Sequence, residues 1–481
     1  MTTVEALRKV IDGGYCIGCG ACASLEGSTV RMAVTSLGTL QATLAEIPLA
    51  PSLASRAATV CPFSDSALDE DQLAKGLFGS VNAHDSSLGY YLSTYAAYVR
   101  EDGFRASGSS GGLGSWLQCE LLRLGFVDHV LNVGSRQPDA NDARLFAYQV
   151  ASSEAEARMG AKSKYYPIEL SQVLDVVRRQ PGRYALVGLP CFIKAARLLC
   201  RQDAVLAERL QWFVGLVCGH LKSMRFAELL AWQMGVPPPT LSGFDFRVKL
   251  PDRPANQYAV EAITASGSHT SRGAQDLFGP NWGHGFFKYK ACDYCDDVFA
   301  ETADVVIGDA WLPQYSADPG GTNVLVVRRA EADEILKQAA VAGRLHLEAL
   351  RPEEAAKSQD AGLRHRREGL RYRLYLADRR NEWHPPKRVG PAQSHLSRRL
   401  RARYRLRERM RDLSHAEFAK ALASGDLSGF IRALSPLVAS HRRLDRSVSQ
   451  RLLQQLNWLA RVLASRAFRA LRAIAPFLGR R

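Results

Sequence analysis

Cys16, Cys19 and Cys22 stand three residues apart, separated by Ile17, Gly18, Gly20 and Ala21. Three thiolates at this pitch can wrap one corner of an iron–sulfur cube, and small residues between them let backbone NH groups face the cluster sulfurs. The bacterial ferredoxin run adds a nearby Cys-Pro, whose cysteine serves the second cluster when there are two. Here Leu25 and Glu26 follow the triad, and the next cysteine is Cys61, with Pro62 behind it. One 4Fe–4S cluster on Cys16, Cys19, Cys22 and Cys61 would use all four thiolates. Structural zinc more often takes two cysteine pairs than a triple at this pitch.

Four further cysteines make a second complete set: Cys191, Cys218, Cys292 and Cys295. Each is expected at a strand end or in a tight loop. Spacing alone leaves zinc and iron–sulfur open for this set, and the neighbouring triad favours the redox reading. Cys119 and Cys200 fall on helical stretches among leucines, where a free cysteine behaves as a small buried hydrophobe. A third candidate is the small-residue loop from Arg105 to Gly112, Arg-Ala-Ser-Gly-Ser-Ser-Gly-Gly. It sits between a strand-like run (Tyr95–Val99) and a helical one (Leu113–Gly125). Unpaired NH groups and the helix dipole at such a junction attract phosphate.

The elements that must position these groups read as alternating strands and helices. After Lys162-Ser-Lys-Tyr-Tyr-Pro167 comes a helix from Leu170 to Arg178. Buried strands follow at Tyr184–Gly188 and Phe213–Val217, ending on Leu189-Pro190-Cys191 and Cys218-Gly219-His220. In open α/β sheets, ligands gather at the carboxyl ends of such strands. Residues 242–266 read as antiparallel strands, Ala303–Asp309 and Thr322–Val327 as further strands, and beyond 330 the chain reads as helical and polar. The expected fold class is α/β with α+β elements: a ferredoxin-like 4Fe–4S module over 1–80, a mixed α/β flavin and second-cluster domain over 81–330, a helical or irregular extension over 331–390, and an Arg-rich helical tail over 391–481.

At 481 residues with 46% hydrophobic content the chain can bury a sizeable core. No run approaches the roughly 18 apolar residues of a spanning helix. The N-terminus MTTVEALRKV lacks an apolar stretch of signal-peptide type. Clustered rather than paired cysteines suit a reducing compartment, so a cytoplasmic protein is expected. The net charge of +15 is uneven: residues 387–481 carry 22 Lys and Arg against 5 Asp and Glu, and the remainder has a net charge of −2. This places the basic charge outside the chemistry of the core. Within the tail, Leu452, Leu456, Leu459, Leu463, Ala467, Ala470 and Ile474 form an apolar stripe with arginines opposite. Such a helix fits the surface of an anionic membrane, or a partner subunit. The tail's few aromatics show no interleaved stacking pattern, so nucleic acid ranks last.

Taken in order, the pieces resemble the beta-subunit family of coenzyme F(420)-reducing hydrogenases and dehydrogenases, which also includes 7-hydroxymethyl chlorophyll a reductase. The resemblance rests on the N-terminal triad, Ser110-Gly111-Gly112, Ser163-Lys164-Tyr165, Gly188-Leu-Pro-Cys191, Gly215-Leu-Val-Cys-Gly219, Lys290-Ala-Cys-Asp-Tyr-Cys295 and Ala303-Asp-Val-Val-Ile-Gly-Asp309, and it spans about residues 10–330. It implies an FAD in the α/β body and one or two 4Fe–4S clusters. By match, the flavin site would draw on Ser110, Gly111, Gly112, Ser163, Lys164 and Tyr165. Asp309 would orient a lysine or a ligand-bearing loop, or simply cap its turn. Tyr165 and His220 are candidates to supply a proton, and His220 also reads as a structural histidine. The implied activity is that of an oxidoreductase passing electrons from a ferredoxin or another redox protein, through the N-terminal cluster, the second cluster and FAD, to a small-molecule substrate, or in reverse. The substrate would be of coenzyme F(420) type or another two-electron acceptor. The competing expectation is a non-catalytic metal-binding partner protein with structural zinc or cluster sites. The chain departs from the family after about residue 390, where the long Arg-rich tail begins.

Overall fold

The computed structural model describes residues 3–44, 50–80, 83–139 and 142–445. Its centre is an eight-stranded mixed sheet. The strands run, edge to edge, Leu345–Ala349, Ser93–Val99, Asn323–Val327, Val305–Asp309, Leu210–Leu216, Tyr184–Gly188, His129–Ser135 and Phe146–Ala151. The four from Val305–Asp309 to His129–Ser135 are parallel, and the flanking strands pair antiparallel.

The central strands are mostly apolar because both of their faces are covered. Every residue of Tyr184–Gly188 and of Asn323–Val327 is buried. Alternate side chains enter opposite layers, as the period of two requires. Ala185, Val187, Trp212, Val214, Val305 and Ile307 pack with Trp116, Leu117 and Leu336, which lie on the helices Leu113–Arg123 and Ala330–Val341. Leu186, Phe213 and Val306 face the other layer, a continuous core reaching from Leu7 to Val438.

That second layer includes the N-terminal region, with helix Thr3–Asp12, a hairpin pairing Arg31–Val34 with Leu40–Thr43, and helix Pro51–Val60. It also includes the long insertion between strands Leu210–Leu216 and Val305–Asp309. The insertion holds helix Arg225–Gln233, a three-stranded antiparallel sheet (Leu241–Val248, Ala259–Thr264, His269–Gly273) and the short turn Lys290–Tyr294.

Two features depart from the sequence reading. The stretch after 330 is not wholly helical: Leu345–Ala349 forms an edge strand against Tyr95–Val99. Its alternation is short and only Leu345 is buried, which is too weak a signal against the helical run before it. The second departure concerns the basic tail. Helices Arg398–Ser424 and Ser428–Asp445 pack on the body, burying Tyr404, Met410, Phe418, Phe430, Leu434 and Val438. Arg411 is buried, and its Nη1 lies 2.5 Å from Asp293 Oδ2, between Cys292 and Cys295 in sequence. Part of the basic charge therefore belongs to the core, because a buried carboxylate beside the CxxC requires cations. The apolar stripe at 451–477 lies outside the described residues. No helix among those described is long and apolar enough to cross a membrane.

Candidate cofactor site

The first cysteine set is held by a loop that only glycine permits. Gly18 and Gly20 have φ of +75° and +81°. A Cβ on Gly18 would meet the Leu40 carbonyl at 2.5 Å, and one on Gly20 would meet the Glu169 carboxylate at 2.6 Å. The loop is pinned to the body where Leu170 N–H donates to the Cys19 carbonyl at 2.9 Å. Cys16, Cys19, Cys22 and Cys61 all line one cavity, closed by apolar side chains including Leu7, Val10 and Met32. The Ala42 N–H donates to Cys16 Sγ at 3.4 Å, the kind of backbone-to-sulfur contact that an iron–sulfur site uses.

The second set comes from three elements. Cys191 opens helix Pro190–Cys200 directly behind strand Tyr184–Gly188. Cys218 follows strand Leu210–Leu216. Cys292 lies in the turn Lys290–Tyr294 and Cys295 just after it. Leu221 N–H donates to Cys292 Sγ at 3.3 Å. Burial pushes the Cys191 thiol well up, and Cys295, Cys218 and Cys292 push it further. Burial and neighbouring thiols likewise raise Cys292 to about 12. Such groups carry charge in the folded protein only when a cation takes over their solvation, which a bound metal does. Among the described residues no group of three or more His, Cys, Asp or Glu side chains is placed to hold a single metal ion. The four thiols of the first set line one cavity, a donor set that fits an iron–sulfur cluster.

The two sets adjoin. Cys19 is among the groups that raise the Cys191 thiol. Tyr148, whose hydroxyl donates to the Val187 carbonyl at 2.8 Å, is pushed up by burial and then by Cys191 and Cys19. Tyr148 also lines a cleft of about 1210 Å³, counting its part open to solvent. This cleft runs along the carboxyl ends of the parallel strands, touching Val133, Gly188, Val217 and Asp309.

The cleft gathers Ser110, Gly112, Ser163, Lys164 and Tyr165. Gly111 is not among its walls: a Cβ there would strike the Ala97 carbonyl at 2.6 Å and Asn323 Oδ1 at 2.7 Å, in the packing behind the loop. Gly114, which the motif reading passed over, does line the cleft, and a Cβ on it would meet nothing within 4 Å. The Ser110 hydroxyl is spent on the Thr322 carbonyl at 3.0 Å. His220 lies outside the cleft. Its ring is 4.3 Å from Trp282, which in turn stands edge-on to Tyr165 at 4.8 Å. Burial, then Lys222 and Lys288, hold His220 far below its ordinary pKa, so it is neutral, with Nε2 unpartnered among the described residues.

Three residues that the motifs did not point to organise the walls. Buried Arg247 donates through Nη1 to the Tyr165 hydroxyl at 3.2 Å and to Asp309 Oδ2 at 3.1 Å, and through Nη2 to the Ser109 carbonyl at 3.2 Å. Lys249 Nζ donates to the Ser110 and Gly320 carbonyls, each at 2.7 Å. Asn323 Oδ1 accepts from Leu113 N–H at 3.1 Å, at the start of helix Leu113–Arg123. In sequence, the only hint was an arginine inside the apolar alternation Phe244–Val248.

Burial pulls the Lys164 ammonium down to about 7, while its Nζ donates to the Gly160 carbonyl at 2.7 Å. Its charge is present below that value and lost above it. Affinity of the cleft for inorganic pyrophosphate should therefore fall about tenfold between about pH 6 and pH 8, the worth of one charge-assisted hydrogen bond. Lys164→Met should flatten that step, as calorimetric titration at the two pH values would show.

Residues 94–175 match the family described as coenzyme F(420) hydrogenase/dehydrogenase, beta subunit N-term, and residues 182–353 match the family described as the C terminus of the same beta subunit. The second cysteine set and the cleft fall inside these spans, and the first set lies before them. No curated protein matches the chain. Among solved structures, a chain of the F(420)-reducing NiFe hydrogenase complex from Methanosarcina barkeri is similar at 14% identity and a TM-score of 0.46, over 65% of this chain and 100% of that one. Because the two family matches together take in more than half of the sequence, the chain belongs to the coenzyme F(420) hydrogenase/dehydrogenase beta-subunit family, a family of oxidoreductase subunits.

Proposed function

We propose that this chain is an iron–sulfur flavoprotein oxidoreductase with two 4Fe–4S clusters and FAD. It would link a ferredoxin-type one-electron carrier to a two-electron small-molecule substrate. One observation carries the reading: Cys191 lies two residues past cleft-lining Leu189, and Cys19, whose carbonyl accepts from Leu170 N–H at 2.9 Å, is held two residues from cleft-lining Ile168. Both cysteine sets thus border the cleft, as a relay from one-electron sites to a bound ligand would require.

The cleft residues suit a dinucleotide. Helix Leu113–Arg123 starts at its edge, with Gly112 at φ +90° turning the chain in. The space at Gly114 lets an anion approach the backbone there. Arg247 holds the Tyr165 hydroxyl, the Asp309 carboxylate and the Ser109 carbonyl in fixed relation. Lys249 holds the Ser110 carbonyl by a hydrogen bond and so fixes that loop. Tyr165, hydrogen-bonded to Arg247, is the cleft group placed to hold or hand on a proton at its hydroxyl. FAD bound there would supply the capacity to take electrons singly and release them as a pair. Neutral His220 sits behind Trp282 and steadies that ring rather than meeting substrate.

The direct test is anaerobic purification followed by iron, sulfide and flavin analysis. About eight irons and one FAD per chain are expected if both sites are cubanes. Iron without flavin would sink the catalytic reading and leave a metal-binding partner protein. A sharper test of the cleft is Gly114→Asp. A Cβ at position 114 meets nothing within 4 Å, so the fold and both sets of iron should survive. A negative charge at the helix N-terminus should weaken FAD binding about 100-fold or more, as like charge and lost space combine. Full flavin occupancy in a folded Gly114→Asp protein would misplace the site. Contact of the tail with an anionic membrane or a partner subunit is also part of this proposal.

A further inference from the structure

Arg366 ends the short helix Asp360–Arg366, beyond residue 353 where the family match stops. It is 1% exposed. Its Nη1 donates to Cys295 Sγ at 2.6 Å and to the Asp297 carbonyl. Its Nη2 donates to the Cys218 and Gly219 carbonyls at 2.9 and 2.8 Å. Nε has no partner among the described residues. The Asp297 carboxylate turns instead to the Glu301 N–H at 3.0 Å.

A guanidinium cannot shed its proton, and burying it without an anion is strongly disfavoured. The partners just named are neutral carbonyls and one sulfur. The charges that act on Arg366 are those of the Asp297 carboxylate and, once a metal deprotonates them, of the thiols it faces, Cys295, Cys218 and Cys292. The first set differs. Its nearby cation, Lys194, is already paired with Glu70 at 3.1 Å, and the donor to its Cys16 sulfur is a backbone N–H at 3.4 Å. Net charge and hydrogen bonds to sulfur are what set cluster potentials. A buried cation on a ligand sulfur favours the more negative, reduced form.

Resting on the two-cluster reading above, we propose that Arg366 is a positioning residue that keeps the second cysteine set at a higher reduction potential than the first. With clusters bound, that ordering would favour electron transfer from the first site to the second, with no bond or proton changing place. The ferredoxin-type carrier already proposed supplies the electron. The sequence after the family match thereby gives the relay its direction.

The test is a redox titration followed by electron paramagnetic resonance on the full-length protein, alongside Arg366→Lys and Arg366→Met. The couple missing from Cys292→Ser identifies the second site. In Arg366→Met that couple should move to more negative potential by at least a tenfold change in its oxidised-to-reduced ratio, about 59 mV for one electron. The other couple should stay in place, and Arg366→Lys should shift less. The idea is overturned if neither couple moves, if both move alike, or if the second couple lies below the first in the unaltered protein. Loss of the second site's iron from both variants also overturns it, and makes Arg366 a brace for the Cys295 loop. An unaltered protein with iron at the first site alone would instead overturn the proposed function.

Discussion

Replacing Cys292 with serine should remove about four of about eight irons and leave the rest. Cys19→Ser should do the reverse. The expectation follows from how separately the two sets are held. The first depends on the glycine loop, the hairpin pairing Arg31–Val34 with Leu40–Thr43, and Cys61 just past helix Pro51–Val60. The second depends on the ends of two sheet strands and the turn Lys290–Tyr294. Neither set uses an element of the other for its sulfurs. Cys19 bears on Cys191 only as the least of several groups that raise its thiol. Iron and sulfide analysis with spectroscopy on each variant reads the outcome. Complete iron loss from either variant would mean one shared site. No loss from either would mean that these cysteines hold no cluster.

The grouping of the cysteines is legible because ligand spacing and strand ends are local signals. Cys16, Cys19 and Cys22 announce their loop by pitch alone, and Cys191 and Cys218 follow runs too uniformly apolar to be anything but buried strands. The two-sided burial of Tyr184–Gly188 and Asn323–Val327 is written in the absence of polar alternation. The walls of the cleft are less legible. Gly111 and Gly114 look alike at the loop-to-helix junction, yet one packs against Ala97 and Asn323 and the other opens on the cleft. Register across the sheet decides that, and no local pattern carries it. Arginine is the extreme case. Arg247, Arg366 and Arg411 look like solvated charge, and each is buried against a partner far away in sequence: Arg247 with Asp309, Arg366 with Cys295, Arg411 with Asp293. A charge tally sees their sign and not their surroundings. That is why the tail read as separate from the core, although its first two helices close it.

Ending the chain after Gly390 should therefore cost far more than a tail. Helices Arg398–Ser424 and Ser428–Asp445 bury Met410, Phe418, Phe430 and Leu434 against the layer that holds the cysteines. Phe287, five residues before Cys292, stacks on Phe430 at 5.8 Å and meets Phe418 edge-on at 5.3 Å. Removing one large buried side chain typically costs about 2–5 kcal/mol, and several go at once. Arg411 goes with them, leaving Asp293 with fewer of the cations that hold its carboxyl well below the usual range against the cost of burial. Breaking a buried pair typically costs about 3–5 kcal/mol more. Together these approach the whole stability of an ordinary domain, about 5–15 kcal/mol. The shortened protein should be insoluble or lack the iron of the second set. A chain ending after Asp445 keeps both helices and their contacts and should retain its iron and its unfolding temperature. That second chain is the proper probe of the stripe at 451–477: loss of salt-sensitive flotation with anionic vesicles, relative to full length, would assign membrane contact to those residues. If the Gly390-terminated protein instead unfolds at the full-length temperature with all its iron, the two helices do not close the core, and the burial of Arg411 against Asp293 has no energetic role.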